Sequence, residues 1–559
     1  MENIKYTISL ILFFAINQQV CSQNWQWANK AGGTGYDTGS SVAEDNSGNV
    51  YATFNIDGPI AYFQTDTFTV NGWDDFFLVK YDNNGNELWV KQFGGSYNSS
   101  TIIKSEGAGG LKYDANSNSI YISGSFIGTC NMGSVTLTTF GNDKNWFIAK
   151  FDLNGNCLWA KNIGNPYSDD IYGLAFNLTP IGDIFFTKTF NGVGYIDTVM
   201  VSGGGFLGKI DNNGTLIWVK NIINAVPSSL SGGSGSGALP FSLSYFNNEI
   251  FILSYKGADT CIVDSTIQFI SAANYPLILS KFSIQGNVIS AIQAGGPFPD
   301  GSRLSMDNSG NCYFASRFSG GIAIFGNDTI HATGTTDFFF AKYDQNLNYQ
   351  WVQQSHTSNT ARAIGCSADA NGNVYITGSF SGNATFGTFN ITSNTSEDMF
   401  IARYDNIGNC IGVRHEGQGF GYDILTTQDG SCIVTGNYNG NITFSGIPTL
   451  TGYGGNDIFI AKSDAITGIG EGGRLANNQL IIYANPNQGK CNITIPDDFL
   501  NEKNLTLSIY DNTGKLIQQK ILEMNDGKIR LSLEEEAKGV YNVTLANKKK
   551  SYSGKIVFE

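Results

Sequence analysis

The chain has few of the residues on which most enzymes rely. Its 559 residues include only three histidines, His331, His356 and His415, and no His-x-x-x-His pair or Cys/His cluster with zinc spacing. A P-loop, a dinucleotide fingerprint and a Gly-x-Ser-x-Gly elbow do not occur in a fitting context. The sequence therefore predicts no metal and no cofactor, and it assigns no catalytic residue.

Charged residues are also scarce, and basic ones are the scarcer kind. Only 14% of the residues are charged, and 33 Lys and Arg stand against 47 Asp and Glu, for a net charge of −14. Such an acidic chain is repelled by phosphate backbones, so we expect no nucleic-acid partner. The 68 glycines and 13% aromatic residues favour an all-β protein exposed to solvent.

Nine cysteines are present, but none forms a Cys-x-x-Cys pair. Cys21 belongs to the N-terminal segment, and the spacing of the other eight is irregular. Several of these eight replace small core residues of the repeat that is described below. Buried, unpaired thiols are therefore favoured over disulfides, and Cys366 with Cys410 is the one pairing that merits a test.

The N-terminal segment, Met1–Ser22, has the composition of a secretory signal peptide. Lys5 precedes an apolar run at Ile8–Ile16, and cleavage is predicted between Ser22 and Gln23. The run is too short to span a membrane, and no other stretch reaches that length. A lipid anchor on Cys21 is disfavoured, because Val20 stands where such sites carry a smaller residue.

One hairpin pattern recurs along most of the chain. Phe76–Trp89, FFLVKYDNNGNELW, places two apolar runs of strand type on either side of a turn rich in Asn and Gly. Related segments start at six further places, namely Phe147, Phe206, Leu279, Phe340, Phe400 and Phe459. The seven copies predict seven units of similar structure.

The length of the period indicates what each unit contains. The basic residues of the seven copies lie 59 to 72 residues apart, which is room for one four-stranded sheet, and they are Lys80, Lys150, Lys209, Lys281, Lys342, Arg403 and Lys462. A second turn-and-strand motif, as in Asp369–Phe380, precedes most hairpins. The sequence thus predicts a seven-bladed β-propeller over residues 23–464, in which each sheet is one blade.

The two ends of the repeat region predict how the ring closes. Trp27–Gly33 has the spacing of Trp89–Gly95, a strand that should finish a blade, and the last unit lacks that strand after Asp464. We therefore expect the N-terminal strand to complete the seventh blade, so that no sheet edge stays open.

The repeat resembles the bacterial β-propeller units known as SBBP repeats. Their W-A-K-x-x-G-G, D-x-x-G-N-V-Y-x-T-G and F-V-A-K-Y-D-x-x-G-x-x-x-W elements correspond to Trp27–Gly33, Asp45–Tyr51 and Phe76–Trp89. The resemblance covers roughly Trp25 to Asp464 and is weakest in the third and fourth units. It implies a fold, but little chemistry.

The segments that link one repeat to the next vary most, and we expect them to lie together on one face of the ring. An aromatic residue near an Asp recurs in them, which would suit a sugar or peptide ligand. Because these pairs follow the repeat, bracing between blades is the favoured alternative. The candidate ligand-face residues are Tyr36, Asp37, Tyr167, Asp170, Phe298, Asp300, Tyr422 and Asp423.

Two kinds of site chemistry bear on the repeat region. Turns such as Asp82–Asn86 resemble fragments of calcium loops, but they lack the terminal Glu and are favoured as hairpin turns. A sialidase-like propeller glycosidase would use an arginine cluster with a Tyr nucleophile and carboxylates. Five arginines fall in the last three units without such a pattern, namely Arg303, Arg317, Arg362, Arg403 and Arg414.

A Gly-rich linker, residues 465–478, separates the repeats from a C-terminal domain at 479–559. Seven short apolar runs broken by turns predict a small Ig-like β-sandwich there. The run also resembles the type A C-terminal sorting domain of the Bacteroidetes type IX secretion system. The motif residues are Asn485, Pro486, Asn487, Gly489, Gly514, Lys515, Gly539, Tyr541, Gly554 and Lys555.

The resemblance implies Sec export followed by passage through the type IX machinery, the expected partner, to the cell surface or the medium. We expect a monomer, without a transmembrane segment, that binds extracellular carbohydrate or protein and is not an enzyme. The alternative is a secreted hydrolase of polysaccharide or glycoprotein.

Overall fold

The described part of the chain is built from β-strands. The structure is a computed structural model, and the chain folds into two compact units, Met1–Ile469 and Gly470–Glu559. It describes residues 25–95, 107–141, 144–164, 174–226, 239–255, 260–264, 266–270, 277–295, 303–427, 429–466, 480–483, 489–495, 499, 504–511, 515–523, 528–533, 536–547 and 551–558. The predicted signal peptide with its Ser22/Gln23 cleavage site lies outside these residues.

Thirteen strands cover the described residues up to Gly164. They are β1 (Trp25–Ala31), β2 (Thr38–Glu44), β3 (Val50–Asp57), β4 (Ile60–Tyr62), β5 (Thr67–Thr69), β6 (Asp74–Tyr81), β7 (Glu87–Phe93), β8 (Gly107–Asp114), β9 (Ser119–Phe126), β10 (Thr129–Met132), β11 (Val135–Thr138), β12 (Asn145–Asp152) and β13 (Cys157–Gly164).

The next strands run to Thr357. They are β14 (Ala175–Leu178), β15 (Ile184–Ile196), β16 (Val199–Ile210), β17 (Leu216–Val226), β18 (Leu239–Phe246), β19 (Glu249–Tyr255), β20 (Thr260–Val263), β21 (Ile267–Ile270), β22 (Leu277–Ser283), β23 (Val288–Ala294), β24 (Leu304–Met306), β25 (Cys312–Ser319), β26 (Ile322–Phe325), β27 (Asp328–His331), β28 (Thr336–Tyr343) and β29 (Tyr349–Thr357).

The last strands of the first unit are β30 (Thr360–Ala368), β31 (Val374–Ser381), β32 (Asn383–Phe386), β33 (Phe389–Thr392), β34 (Asp398–Tyr404), β35 (Cys410–Thr426), β36 (Cys432–Ile442) and β37 (Leu450–Ser463). The second unit contains β38 (Ile481–Tyr483), β39 (Lys490–Thr494), β40 (Asn504–Tyr510), β41 (Leu516–Glu523), β42 (Lys528–Ser532), β43 (Gly539–Ala546) and β44 (Ser551–Phe558).

The strands of the first unit pair antiparallel in groups of four, which we call blades 1 to 7. From the innermost strand outward they are β2-β3-β6-β7, β8-β9-β12-β13, β14-β15-β16-β17, β18-β19-β22-β23, β24-β25-β28-β29, β30-β31-β34-β35 and β35-β36-β37-β1. Long β35 contributes its first half to blade 6 and its second half to blade 7.

The innermost strands form a closed cycle. Each packs against the innermost strand of the next blade, in the order β2, β8, β14, β18, β24, β30, β35 and back to β2. Such a cycle surrounds an axis, and the first unit therefore has the β-propeller architecture. The grouping is consistent with the seven blades that the repeat predicts.

The hydrophobic core lies between neighbouring blades. In one cluster, buried Tyr51 and Phe76 of blade 1 pack with Ile120 and Phe147 of blade 2. This arrangement follows from the apolar runs of the repeat, since both faces of each central strand are covered by another sheet. Cys366 and Cys410, the one pairing that merited a test, are not joined by a disulfide.

The repeat residues that define the hairpin also brace one blade against the next. A Cβ placed on Gly214, Gly286 or Gly408, each at positive φ in a hairpin turn, would lie 2.8 to 3.0 Å from the preceding blade's tryptophan. Trp159 Nε1 donates to Asn212 O across the same boundary, at 3.2 Å. The tryptophans are therefore part of the scaffold.

The repeat lysines connect blades in the same way. Lys281 Nζ donates to Gln345 O at 2.9 Å, and Lys342 Nζ donates to Asn406 O at 2.8 Å, in each case to the hairpin turn of the following blade. Arg403, which replaces a lysine of the repeat, donates to Ile466 O at 2.6 Å. These basic side chains therefore hold blades together.

The second unit consists of two sheets that share one core. Their strand orders are β38-β39-β42 and β41-β40-β43-β44, and Ile493, Leu507 and Val543 are fully buried in the common core. The seven strands coincide with the seven predicted runs, which is consistent with a small sandwich. No helix in the described residues is long and apolar enough to cross a membrane.

Candidate functional site

Each innermost strand has one residue that occupies the same place in its blade, and in two of the seven blades this residue is charged. In most blades a bulge in the innermost strand precedes this position. Five of the seven residues are small, and the exceptions are Arg303 and Asp423; the full set is Ser41, Gly110, Ala175, Ser242, Arg303, Gly365 and Asp423. These two charges break the repeat.

Arg303 connects three blades that do not all adjoin. From blade 5, its Nη1 lies 3.3 Å from Asp423 Oδ1 in blade 7, and its Nη2 donates to Ser40 O in blade 1 at 3.1 Å. A contact between blades 5 and 1 is possible only across the middle of the ring. Arg303 thus marks the axis of the propeller.

Asp423 is held by donors from its neighbours. Its Oδ2 accepts hydrogen bonds from the Ser41 hydroxyl at 2.6 Å and from the Val42 N–H at 3.1 Å, and its Oδ1 faces Arg303. The side chain is buried. Because both oxygens are engaged, Asp423 acts as a fixed counter-ion that joins blade 7 to blade 1.

Lys112 lies two residues after Gly110 in the innermost strand β8, so its side chain is on the same face of that strand as the equivalent position, and it is the third charged group at the axis. Its side chain reaches solvent, and it makes no hydrogen bond or ion pair with any part of the chain that the structure describes. Surrounding protein atoms nevertheless reduce its hydration, which lowers the pKa of its ammonium group; Asp423 opposes this effect and Arg303 adds to it. We call Lys112, Arg303 and Asp423 the axial cluster.

The other predicted ligand-face residues are distributed differently. Tyr36 is 65% exposed, whereas Asp37 is fully buried and accepts hydrogen bonds from the Gly33 and Asp57 N–H groups. Tyr422 is half-buried, with Asn437 Nδ2 at 3.5 Å from its hydroxyl. Tyr167, Asp170, Phe298 and Asp300 lie outside the described residues.

The two described Tyr-Asp pairs do not occupy equivalent positions. Asp423 is opposite Thr435 in its blade, just as Ser41 is opposite Thr53, so Asp423 corresponds to Ser41 and not to Asp37. The resemblance of the two dipeptides in sequence is therefore not a repeat in space. The sequence singles out Asp423 as a ligand-face candidate and Arg303 as one of five arginines in the last three units, but it does not indicate that these two residues and Lys112, which lie far apart in the chain, meet at one axis.

The Asp-rich turns close on their own backbone. Asp82 Oδ1 accepts from the Asn84 and Asn86 N–H groups at 2.8 and 2.9 Å, and Asp82 Oδ2 accepts from Asn86 Nδ2 at 2.7 Å. These bonds hold the pKa of the Asp82 carboxyl below its usual value. Within the described ranges, no group of three His, Cys, Asp or Glu residues could hold a metal ion.

The buried histidine and arginine of blade 6 serve the scaffold. His415 Nδ1 lies 3.0 Å from Asp398 Oδ2, where the corresponding partner of Asp337 in blade 5 is Gln354. Arg414 is buried, donates to Ser463 Oγ at 2.6 Å and lies over the Trp25 ring. Neither side chain belongs to the axial cluster.

The sorting-domain motif lies partly within the described residues. Gly489 O accepts from the Leu533 N–H at 2.7 Å, the Tyr541 hydroxyl donates to Ala537 O, and Gly554 packs against Leu480. Lys515 N donates to Asp511 Oδ1 at 3.0 Å, Gly539 opens β43, and Lys555 lies in β44. Asn485, Pro486, Asn487 and Gly514 lie outside the described residues.

Comparison with known proteins assigns the C-terminal unit. Residues 481–559 match the family described as the secretion system C-terminal sorting domain. The protein is therefore exported by the type IX secretion system to the cell surface or the extracellular space, and its C-terminal domain interacts with that machinery.

The propeller region has more distant likenesses. It is 26% identical over 255 residues to an uncharacterized WD repeat-containing protein of Acanthamoeba polyphaga mimivirus, covering 37% of this chain and 18% of that protein. Among solved structures, the Dos1 propeller matches with a TM-score of 0.36 at 11% identity, covering 81% of this chain and 97% of that one. A protein of unknown function from Dyadobacter fermentans matches with a TM-score of 0.36 at 8% identity, covering 78% and 99%.

Proposed function

We propose that the protein is an exported binding protein whose SBBP-type, seven-bladed propeller attaches to extracellular carbohydrate or protein near the axial cluster. The observation that carries this proposal is the contrast between Lys112 and Asp423. Both oxygens of the Asp423 carboxylate are bonded to donors of the protein, whereas the Lys112 ammonium group reaches solvent and has no partner among the described residues. Such a site is suited to holding a ligand.

Hydrolysis of a glycoside places different demands on a site. Most glycoside hydrolases need two carboxyl groups that flank the scissile bond, and sialidase-type enzymes use a tyrosine nucleophile together with a carboxyl group; in each case one carboxyl group must be free to exchange a proton with the substrate. Asp423 is the carboxylate of the axial cluster, and its hydrogen bonds to Ser41 and Val42 leave it poorly placed for that role. The arrangement therefore supports binding over turnover.

An array of glycans and extracellular-matrix proteins, probed with the exported full-length chain, tests this function. We expect saturable retention on a defined subset of the array and no release of cleaved product. Retention should persist in a Lys520→Gln variant, whose substitution lies at an exposed position of the sorting domain outside its motif residues. Product release would establish a hydrolase instead, and absence of retention on every feature would reject the binding function.

A further inference from the structure

The axial cluster places positive charge in the middle of an acidic protein. It contains two cations and one anion, whereas the whole chain carries a net charge of −14. The anion is already bonded to Ser41, Val42 and Arg303. The single negative charge of Asp423 is outweighed by the two positive charges of Lys112 and Arg303. Because water screens these charges less at the axis than at the outer surface, an incoming anion would be attracted more strongly to the axial cluster.

Both cations keep donors for a ligand. A guanidinium group has five N–H donors, and the described contacts of Arg303 use its Nη1 and Nη2 atoms toward Asp423 and Ser40. Its side chain is 32% exposed. Lys112 has three donors and no described protein partner. An anionic group close to both would therefore receive charge-assisted hydrogen bonds without displacing Asp423.

The surroundings restrict the size and kind of ligand. The residues at the equivalent position of neighbouring blades, Gly110, Ala175 and Gly365, have no side chain larger than a methyl group. The Ser41 hydroxyl is used by Asp423, whereas Ser242 Oγ accepts the Leu304 N–H at 2.8 Å and keeps its own O–H for a ligand. Small residues at these positions leave space beside Lys112 and Arg303, and a ligand that enters between the innermost strands must be a single sugar unit or an extended chain and not a folded protein surface. Hydroxyl groups suit a hydroxyl-rich ligand.

We propose that the axial cluster binds the carboxylate or sulfate group of an acidic polysaccharide, with Lys112 and Arg303 as its donors. This inference rests on the proposed binding function and names its ligand class. The ligand's charge should stabilise the protonated form of Lys112, whose pKa the surroundings lower in the free protein. An acidic peptide would offer the same charge but fewer hydroxyls, and it is the competing outcome of the test.

Oligogalacturonate and sulfated dextran oligomers are the probes, and the full-length exported chain is the protein. Their neutral counterparts, the methyl ester of oligogalacturonate and unmodified dextran, and poly-glutamate serve as comparison ligands. Calorimetry or surface plasmon resonance at two salt concentrations measures Kd. We expect at least one of the two acidic oligosaccharides to bind at least about tenfold more tightly than its neutral counterpart and than poly-glutamate.

Three variants assign the binding to this site. Lys112→Gln should weaken acidic-oligosaccharide binding at least about tenfold, because it removes a charged donor. Lys112→Arg should restore binding, since it keeps the charge. Lys91→Gln on outer strand β7 removes a positive charge elsewhere and should leave Kd unchanged. Circular dichroism and melting temperature check that each variant folds.

The inference and the proposed function fail in different ways. Equal binding of charged and neutral oligosaccharides, tighter binding of poly-glutamate, or equal effects of Lys112→Gln and Lys91→Gln would overturn the acidic-sugar site. Retention of neutral glycans on the array would in that case leave the binding function standing. If nothing on the array or among the probes is retained, both are rejected.

Discussion

Asp37 and Asp457 lie on either side of Gly32, at the junction between blade 7 and blade 1. Both carboxyl groups are fully buried, and a Cβ added at Gly32 would contact Asp457 Oδ1 and Asp37 Oδ2 together. Asp457 Oδ1 has no hydrogen-bond partner among the described residues. Two carboxyl groups buried around one residue repel each other when both are charged, so we expect the pair to hold a proton between them.

Comparison with blade 5 explains the unpartnered oxygen. There, Asp337 Oδ1 accepts the Thr357 N–H at 3.0 Å, and Oδ2 accepts the Thr333 N–H at 2.6 Å. In blade 7 the residue that corresponds to Thr357 is Gly33, and its N–H donates to Asp37 instead. The Gly33 N–H, which by comparison with blade 5 would donate to Asp457 Oδ1, therefore donates to Asp37 and leaves Asp457 Oδ1 without a hydrogen bond.

We predict that this pair makes the propeller less stable as pH rises. Burial raises the pKa of Asp37 to about 7, with Asp457 and Asp57 adding to the effect, and burial also raises the pKa of Asp457 despite nearby Lys30. The folded state therefore holds a proton that the unfolded chain loses above about pH 4. The stabilisation from this proton is complete below the unfolded-state pKa and is lost as the pH rises through about 7. The free energy of unfolding should fall by on the order of 2–4 kcal/mol over that range.

Asp457→Asn tests this assignment, because its amide can donate to Asp37 Oδ2 as the shared proton does. Thermal denaturation should show the wild-type propeller losing stability between about pH 5 and about pH 8, and the variant losing much less. Asp337→Asn is the matched control and should be destabilised at both pH values, since it replaces an acceptor oxygen with an amide NH2 donor that faces a backbone N–H donor. Equal pH profiles for wild type and Asp457→Asn would contradict the shared proton.

The contact of Trp27 with Gly85 provides a second prediction. Gly85 has φ +81°, and an added Cβ would lie 2.5 Å from Trp27 Cδ2. Gly446 has nearly the same φ, +84°, with nothing within 4 Å of an added Cβ. Gly446→Ala should therefore cost about 1 kcal/mol for the backbone conformation alone, and Gly85→Ala about 1–3 kcal/mol more for the clash.

Chemical denaturation of the two variants measures the difference directly. A larger loss for Gly85→Ala shows that the blade boundary at Trp27 limits the stability of the ring. If both variants lose the same free energy of unfolding, the tryptophan contact has no stabilising role.

Removal of the N-terminal strand gives a third prediction. β1 pairs antiparallel with β37, and Trp25 Nε1 donates to Glu416 Oε1 of blade 6 at 2.7 Å across the boundary between blades 6 and 7. Deleting residues 23–30 would expose the edge of β37 and the cavity left by Trp25, so the melting temperature should fall by many degrees. A deletion of equal length in the linker, residues 471–478, is the control, and an unchanged melt after the first deletion would argue against ring closure by β1.

The fourth prediction concerns export. A chain that lacks residues 481–559 should remain inside the cell envelope, because it has lost the domain that the type IX machinery recognises. Cell fractionation with protease accessibility measures this, and a substitution away from the sorting domain, Lys91→Gln, should reach the surface normally. Surface exposure of the truncated chain would contradict the role of the domain.

The hairpin repeat could be predicted from the sequence because the interactions that form it are local. Asp82 bonds the backbone of its own turn, and Phe76 and Trp89 lie in the two strands that the turn joins, so the pattern that predicts a hairpin is contained within one short segment. The sorting domain was readable for a related reason, since its motifs follow one another in a short stretch between Asn485 and Lys555. Strand type, repeat number and export route were therefore determined by the sequence alone.

The axial cluster was decided by tertiary structure. Lys112, Arg303 and Asp423 belong to blades 2, 5 and 7, and only the closed cycle of innermost strands brings them to one axis. Asp423 lies opposite Thr435 as Ser41 lies opposite Thr53, a correspondence that the likeness of Tyr422-Asp423 to Tyr36-Asp37 had concealed. The pairing partner of a residue is set by strands that adjoin it in space, and ring closure joins residues hundreds of positions apart; neither effect leaves a local trace in the sequence.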